Sequence, residues 1–448
     1  MDYITFTPRN DDIAVATLDM PGRPFNVFSE QMMDELEAAL EQACKASRGL
    51  VIRSGKGSFA AGADLMMIRD FADMRFGADW QSMRDRFSRL GKLFRRIEQA
   101  PIAVVAAVNG LALGGGLELA MACHGRVCID VDRPILGLPE VGLGLLPGAG
   151  GTQRLPRLIG AAEAMGMLLG GAPVTPAFAM KHGLVDRIVS GDQLLDVALE
   201  MAATIQPVAR WDQPGWQIPP TDRAFLEQPD WIAFCLERGG WSQRQHDLYP
   251  AVAAICTCVA RGARLPFDAG CDVEWDVFVD LMRDPVAANM VVTSFLNKSL
   301  ARGTDGGFQL LESAVADFLA SSSMSAESVA LAARAVDAAA LVEAAGVSHL
   351  PDHHVPSRED RLAGMAMLGS IAPALLRRHR GPHDQLDASA VWNGGWPQWT
   401  GGPIAFLAML QRGEVSHADL PASLIDGVSA IGTPLKTGAA YSGASLAA

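Results

Sequence analysis

Gly137-Leu-Pro-Glu-Val-Gly-Leu-Gly-Leu-Leu-Pro-Gly-Ala-Gly-Gly-Thr-Gln-Arg154 holds a single carboxylate, that of Glu140, in an otherwise uncharged run of more than a dozen residues. Among apolar neighbours a carboxylate resists ionisation, because burial penalises its charged form. Within the same run, residues 147–151 form a glycine loop that opens a helix. A helix start leaves backbone N–H groups unpaired at the positive end of its dipole.

Two upstream segments share this character. In Gly57-Ser-Phe-Ala-Ala-Gly-Ala-Asp-Leu65 the small residues let a ligand approach the backbone. Gly62 can take φ > 0 there, which leaves an N–H such as that of Ala63 to point at a ligand. In Asn109-Gly-Leu-Ala-Leu-Gly-Gly-Gly-Leu-Glu-Leu119 three glycines precede a helix that carries the lone carboxylate Glu118. Two amides from separate loops, aimed at one oxygen, make an oxyanion hole; losing one such donor costs about 3 kcal/mol of barrier.

Glu118 and Glu140 each stand alone in an apolar neighbourhood. Burial raises a carboxyl pKa and a second carboxylate nearby raises one of the two further, so such a pair can split into an acid and a base at neutral pH. Each feature also has a plain structural reading. Either Glu can be a satisfied structural carboxylate, a glycine triple can mark tight helix packing, and the 147–151 loop can be only a helix start. Taken together they point to an active site.

Working outward, residues 3–19 read as a hairpin around the turn residues 8–12. Ser29 occupies an N-cap position before Met32, Met33, Leu36, Ala39 and Leu40 at helical spacing. Residues 50–53 read as a buried strand, 55–63 as a loop, 78–98 as a long charged helix and 102–108 as a strand apolar on both faces. A turn follows over 110–116, then a helix over 117–123 and strands over 126–129 and 135–138. The repeated order of strand, strand, helix predicts stacked α/β turns rather than a doubly wound sheet. After about residue 190 the composition shifts. Trp and Pro cluster over 210–220, and from 250 onward the pattern is helical.

The bulk numbers bound the function. The chain has 448 residues, 49% apolar and 19% charged, which fits two or three packed domains. Its net charge of −13 argues against general nucleic-acid affinity. The seven Cys include no C-x-x-C pair; they read as reduced thiols, Cys256 and Cys258 as core. No signal peptide is visible, so a cytoplasmic location is expected. The apolar stretch 102–123 contains Asn109, four glycines and Glu118, a pattern that suits a buried strand, turn and helix rather than a membrane span.

The three quoted segments resemble the signature of the crotonase, or enoyl-CoA hydratase/isomerase, superfamily, over roughly residues 1–200. Ala179-Met-Lys-His-Gly-Leu-Val185 resembles the family's helix-to-strand return. The resemblance implies an α/β ββα-superhelix, with Ala63 and Gly115 supplying oxyanion-hole amides to an acyl-CoA thioester. Glu118 and Glu140 match the two catalytic glutamates, which hold a water between them. Gly148 matches a backbone position near that water. Arg23, Phe25, Ala61, Asp64 and Leu138 fall on the substrate and CoA wall, a looser match. The implied activity is that of a lyase, hydrating a trans-2-enoyl-CoA to a 3-hydroxyacyl-CoA without metal or redox cofactor. Isomerisation of a 3-enoyl-CoA and a non-catalytic scaffold are the rival readings.

The C-terminal half resembles multifunctional fatty-acid oxidation enzymes. Leu265-Pro-Phe-Asp-Ala-Gly270, with Phe295-Leu-Asn-Lys298 downstream, looks like their linker helix region. Gly394-Gly-Trp-Pro-Gln-Trp-Thr-Gly-Gly-Pro403 looks like a motif of their last helical domain. The Gly-x-Gly-x-x-Gly fingerprint is missing between them, which predicts no NAD binding and no dehydrogenase activity. Three regions are expected: 1–200 catalytic, 201–310 linker and helical cap, and 311–448 an all-helical remnant. By the same analogy the protein is a monomer or small homo-oligomer, able to associate with other β-oxidation enzymes. His353 and His354 read as surface residues.

Overall fold

The structure, a computed structural model, describes residues 2–296, 307–321, 324–344, 357–378, 383–392, 396–400, 402–412 and 414. The chain starts with the expected hairpin. Strands β1 (Ile4–Thr7) and β2 (Ile13–Leu18) pair antiparallel, with Ile4 opposite Leu18 and Thr7 opposite Val15. Helix α1 (Glu30–Ala46) follows, and the Ser29 hydroxyl accepts the Met32 N–H at 3.2 Å, as an N-cap should.

Three turns then repeat one unit of long strand, short strand and helix. The first is β3 (Gly49–Ser54), β4 (Ala60–Ala61), α2 (Leu65–Met74) and α3 (Trp80–Glu98). The second is β5 (Ala103–Val108), β6 (Ala112–Leu113) and α4 (Gly115–Ala122). The third is β7 (Gly125–Ile129), β8 (Leu136–Gly137), a 3₁₀ turn over Glu140–Leu143, and α5 (Gly151–Ile159). Helices α6 (Ala161–Gly170) and α7 (Pro176–His182), strand β9 (Arg187–Val189) and helix α8 (Leu194–Thr204) complete this part.

The long strands form a six-stranded sheet in the order β1-β2-β3-β5-β7-β9, parallel from β2 onward. The short strands form a second, parallel sheet, β4-β6-β8. Every residue of β5 is buried, because the sheet is covered on both faces. One face packs on α8 through Val51, Val105, Val127, Leu194, Ala198 and Met201. The fold is thus the ββα superhelix expected for residues 1–200. Of the small sheet, β8 falls in the strand expected over 135–138, whereas β4 and β6 escaped the sequence pattern, since two-residue strands show no periodicity; they hide in the loop 55–63 and the turn 110–116.

Five helices follow: α9 (Pro220–Glu227), α10 (Trp231–Gly239), α11 (Gln243–Leu248), α12 (Pro250–Gly262) and α13 (Phe267–Arg283). The chain divides into two compact units. One comprises residues 1–243 and 251–281, the other residues 244–250 and 282–448. These bounds differ from the expected cuts at 200 and 310, because α12 and most of α13 pack with the superhelix. Arg84 of α3 pairs with Asp272 and Asp276 of α13, both at 2.6 Å. Trp211, from the 210–220 cluster, stacks on Phe267 with ring centroids 4.7 Å apart. Cys256 and Cys258 are buried, as expected.

The described residues of the second unit are helical, with connecting turns. They comprise α14 (Pro285–Met290), a π-helical turn over Val291–Leu296, α15 (Gly307–Ser321), α16 (Ala326–Ala335), α17 (Ala339–Ala344), α18 (Arg358–Arg378), α19 (His383–Trp392) and α20 (Pro403–Gln411). The carboxylate of Asp387 caps α20 by accepting the N–H groups of Ile404 at 2.7 Å and Ala405 at 3.2 Å. Trp396 donates its indole N–H to Thr400 Oγ1 at 2.8 Å, which fixes the turn before α20. His353, His354, Asn297, Lys298, Gly394 and the tail after 432 lie outside the described residues. Among the described residues no helix is long and apolar enough to cross a membrane.

Candidate active site

The small sheet brings the three sequence segments together. Phe28 brackets Ala63: its N–H donates to the Gly62 carbonyl at 2.9 Å, and its carbonyl accepts the Asp64 N–H at 3.0 Å. In such a parallel bridge the N–H of the residue between, Ala63, faces away from Phe28. The neighbouring strands β4 and β6 are paired, so the Ala63 loop and the Gly114–Gly116 turn lie side by side. A side chain on Gly62 would lie 4.0 Å from the Gly115 nitrogen, which shows how closely the two loops approach.

Gly115 is the first residue of α4, two residues earlier than the sequence pattern placed it. Its N–H therefore belongs to the unpaired first turn of that helix. Gly114, before it, has φ 52°, ψ −126°, a conformation open to glycine. A side chain at 114 would also collide with the carboxylate of Glu140. Glycine is required here on both counts.

Glu118, on the first turns of α4, is buried. Its Oε1 accepts the N–H groups of Ala149 and Gly151, each at 2.8 Å. Burial pushes its carboxyl up to about 7, while the two amides and the Arg154 charge oppose that rise. Glu140 opens the 3₁₀ turn after β8. Its Oε2 is buried and meets no hydrogen-bonding partner among the described residues. Burial, and then the Glu118 charge, hold its carboxyl well above the usual range. The two carboxyls are thus driven apart in proton affinity. Glu118 has donors that stabilise its anion, and Glu140 has none of comparable number.

The residues expected on the CoA wall form a separate group. Arg23 pairs with Asp64 at 3.2 Å, and Asp64 also caps α2 by accepting the Met66 N–H at 2.8 Å. Phe25 is exposed, and the Ala61 N–H donates to the Asn26 carbonyl at 2.9 Å. Asn26 is buried and fully used. Its side chain donates to Leu18 O, Ser54 Oγ and Phe59 O and accepts the Met20 N–H, tying this group to both sheets. Leu138 is buried, so only its backbone could reach a ligand. Gly148 faces Phe278 of α13, and a side chain there would strike that ring.

Two buried acids near this site were missed by the sequence reading. Glu98, at the end of α3, pairs with Arg154 at 2.7 Å. Glu274 lies on α13 and accepts hydrogen bonds from Gly150 N–H at 2.6 Å, Thr152 N–H at 3.0 Å and Thr152 Oγ1 at 2.5 Å. A signal for Glu274 was present: Phe267, Cys271, Glu274 and Phe278 recur at helical spacing, which places Glu274 on the buried face. Among the described residues no group of three or more His, Cys, Asp and Glu is arranged to hold a metal ion.

Residues 9–210 match the family model described as enoyl-CoA hydratase/isomerase. The fatty acid oxidation complex subunit alpha of Shewanella frigidimarina (strain NCIMB 400) is 38% identical over 303 residues, 66% of this chain and 41% of that protein. The protein of the same name from Shewanella amazonensis (strain ATCC BAA-1098 / SB2B) is 38% identical over 309 residues, 67% of this chain and 42% of its own length. The chain therefore spans about two fifths of the length of these curated relatives. The crystal structure of an enoyl-CoA hydratase from Bacillus anthracis aligns with 27% identity and a TM-score of 0.40, covering 62% of this chain and 89% of that one.

Proposed function

We propose, from the match of residues 9–210 to the enoyl-CoA hydratase/isomerase family model and from the ββα superhelix, that the chain adds water to a trans-2-enoyl-CoA to give a 3-hydroxyacyl-CoA. One observation carries this reading. Two carboxyls, both raised above the usual range but held by unequal sets of donors, flank the paired loops of Ala63 and Gly115.

In the proposed reaction the N–H groups of Ala63 and Gly115 hold the thioester oxygen. That polarises the conjugated system and makes C3 electrophilic. Glu118, whose anion is supported by two amides, takes a proton from water as the hydroxyl bonds to C3. Charge moves onto the thioester oxygen, where the two amides stabilise it more strongly than they do the ground state. Glu140, protonated, delivers its proton to C2 and completes the product. Transfer of the proton from Glu118 back to Glu140 resets the site. No metal or redox group enters these steps; coenzyme A is part of the substrate.

Arg23, Phe25, Ala61 and Asp64 are proposed to meet the CoA portion; the Arg23–Asp64 ion pair and the exposure of Phe25 support this. The fatty-acid oxidation relatives support a role in acyl-CoA breakdown, and the proposed setting is cytoplasmic. Loss of enone absorbance on mixing the protein with crotonyl-CoA and longer trans-2-enoyl-CoAs tests the reading. No loss at any chain length overturns it.

A further inference from the structure

Four consecutive backbone amides are shared alternately between two buried carboxylates. Ala149 and Gly151 donate to Glu118, each at 2.8 Å; Gly150 and Thr152 donate to Glu274 at 2.6 and 3.0 Å. The Thr152 hydroxyl adds a third donor to Glu274, and Gln153 Nε2 donates to that hydroxyl at 3.0 Å, which orients its proton toward the carboxylate. Glu274 is fully buried. We propose that Glu274, on α13 and outside the 9–210 family match, is a positioning residue: by gripping Gly150 and Thr152 it aims the alternate amides at Glu118, and as a carboxylate behind the same loop it helps Glu140 keep its proton.

A structural cap would not need this residue. The start of α5 requires acceptors for its first N–H groups, and a neutral Ser, Thr or Asn supplies one at lower desolvation cost than a buried carboxylate. A second carboxylate facing the first adds repulsion that a fold-stabilising role would avoid. The groups that face Glu274 are Glu118 from α4, Glu140 from the 3₁₀ turn, Arg154 and Arg157 from α5, Cys258 from α12 and Cys271 from its own helix. Burial and the Glu118 charge push its carboxyl up to about 8, with the Thr152 and Gly150 bonds opposing. Both cysteines are held neutral by burial. The two arginines do not titrate in the working range, so the coupling that matters runs among the three carboxyls. Removing the Glu274 charge therefore lowers the proton affinity of Glu140.

This inference rests on the reading of Glu118 and Glu140 as base and proton donor, but its test does not need substrate. The carboxyl C=O infrared band of the full chain is followed against pH, and the Glu140 component is the one that Glu140→Gln abolishes. In the unmodified chain it persists to a pH well above the usual carboxyl range. In Glu274→Gln its midpoint falls by about one unit, and Glu274→Asp, which keeps the charge, restores it. The pH optimum for crotonyl-CoA slides in the same direction, whereas a merely structural loss lowers turnover without moving it. If Glu274→Gln does not fold, Thr152→Val weakens the grip on Glu274 alone; that acid stays neutral over a wider range, and the Glu140 midpoint again moves down. An unmoved midpoint in the folded variant overturns the proposal. Absence of hydration in the unmodified chain overturns the hydratase reading instead, and the infrared result still decides the coupling.

Discussion

Arg154 and Glu98 form a two-pronged ion pair, Nε to Oε1 at 2.7 Å and Nη2 to Oε2 at 3.1 Å, with neither side chain reaching solvent. Arg154 also donates through Nη1 to the Ala149 carbonyl at 2.5 Å. One guanidinium thus anchors α5 to α3 and holds the far side of the peptide whose neighbour serves Glu118. Breaking such a pair from one side leaves a buried charge uncompensated, which costs about 3–5 kcal/mol. Glu98→Gln should lose stability on that scale, read as a fall in the urea midpoint at unchanged slope. A midpoint within error of the unmodified protein would show that the pair is dispensable.

Gly114 offers a sharper test of the site than of the fold. Its conformation and the Glu140 carboxylate both exclude a side chain. Gly114→Ala should cost about 1–3 kcal/mol through backbone strain. It should also displace Glu140 and the adjacent Gly115 amide together. Turnover of crotonyl-CoA should then fall at least about 100-fold, since an oxyanion donor and the acid move at once. Near-normal kcat in a folded Gly114→Ala protein would place the chemistry elsewhere.

The buried acids set the pH dependence of stability. Glu118 and Glu274 are raised to about 7 and about 8 from an ordinary value of 4.5. In the folded state they hold protons that the unfolded chain releases above pH 4.5, so their contribution is fully present below that value. It is lost progressively as pH rises through 7 and 8. Carboxyls with lowered values, such as Glu35, which accepts three backbone N–H groups, act only below about 4.5 and leave the window clear. Urea midpoints should therefore fall between pH 5.5 and 8.5, and Glu118→Gln should flatten the dependence. A midpoint that rises over this interval would contradict the assignment.

The superhelix was legible because its long strands and helices carry strong periodicity. Ser29 announced α1, and the doubly apolar run of β5 announced a covered sheet. The three segments of the candidate site were legible because glycine and a solitary carboxylate are costly where nothing uses them. Other features were not readable from one chain position. The strands β4 and β6 have two residues each. The start of α4 at Gly115 was masked by glycines, which have low helix propensity. Glu98 sits at the end of a charged helix and looks solvated until Arg154 is placed against it. Glu274 acquires meaning only when α13 returns to the loop at 149–152, more than a hundred residues earlier in the chain.

Glu118→Gln and Glu140→Gln should separate the two proton-transfer roles. In Glu118→Gln the side-chain oxygen can still accept the Ala149 and Gly151 amides, so the loop keeps its shape while the base is gone. In Glu140→Gln the unpaired Oε2 position becomes an amide that cannot supply a proton to C2. Each change should reduce kcat by about 100-fold or more and leave KM close to its original value, because neither group binds the ground state. The exchange of the C2 proton with solvent deuterium in a saturated acyl-CoA distinguishes them further. It requires the acid Glu140 and the oxyanion loops but no water addition, so Glu118→Gln should retain more of this exchange than of hydration. Equal loss of both reactions in both variants would mean that the pair works as one unit, with no division into base and acid.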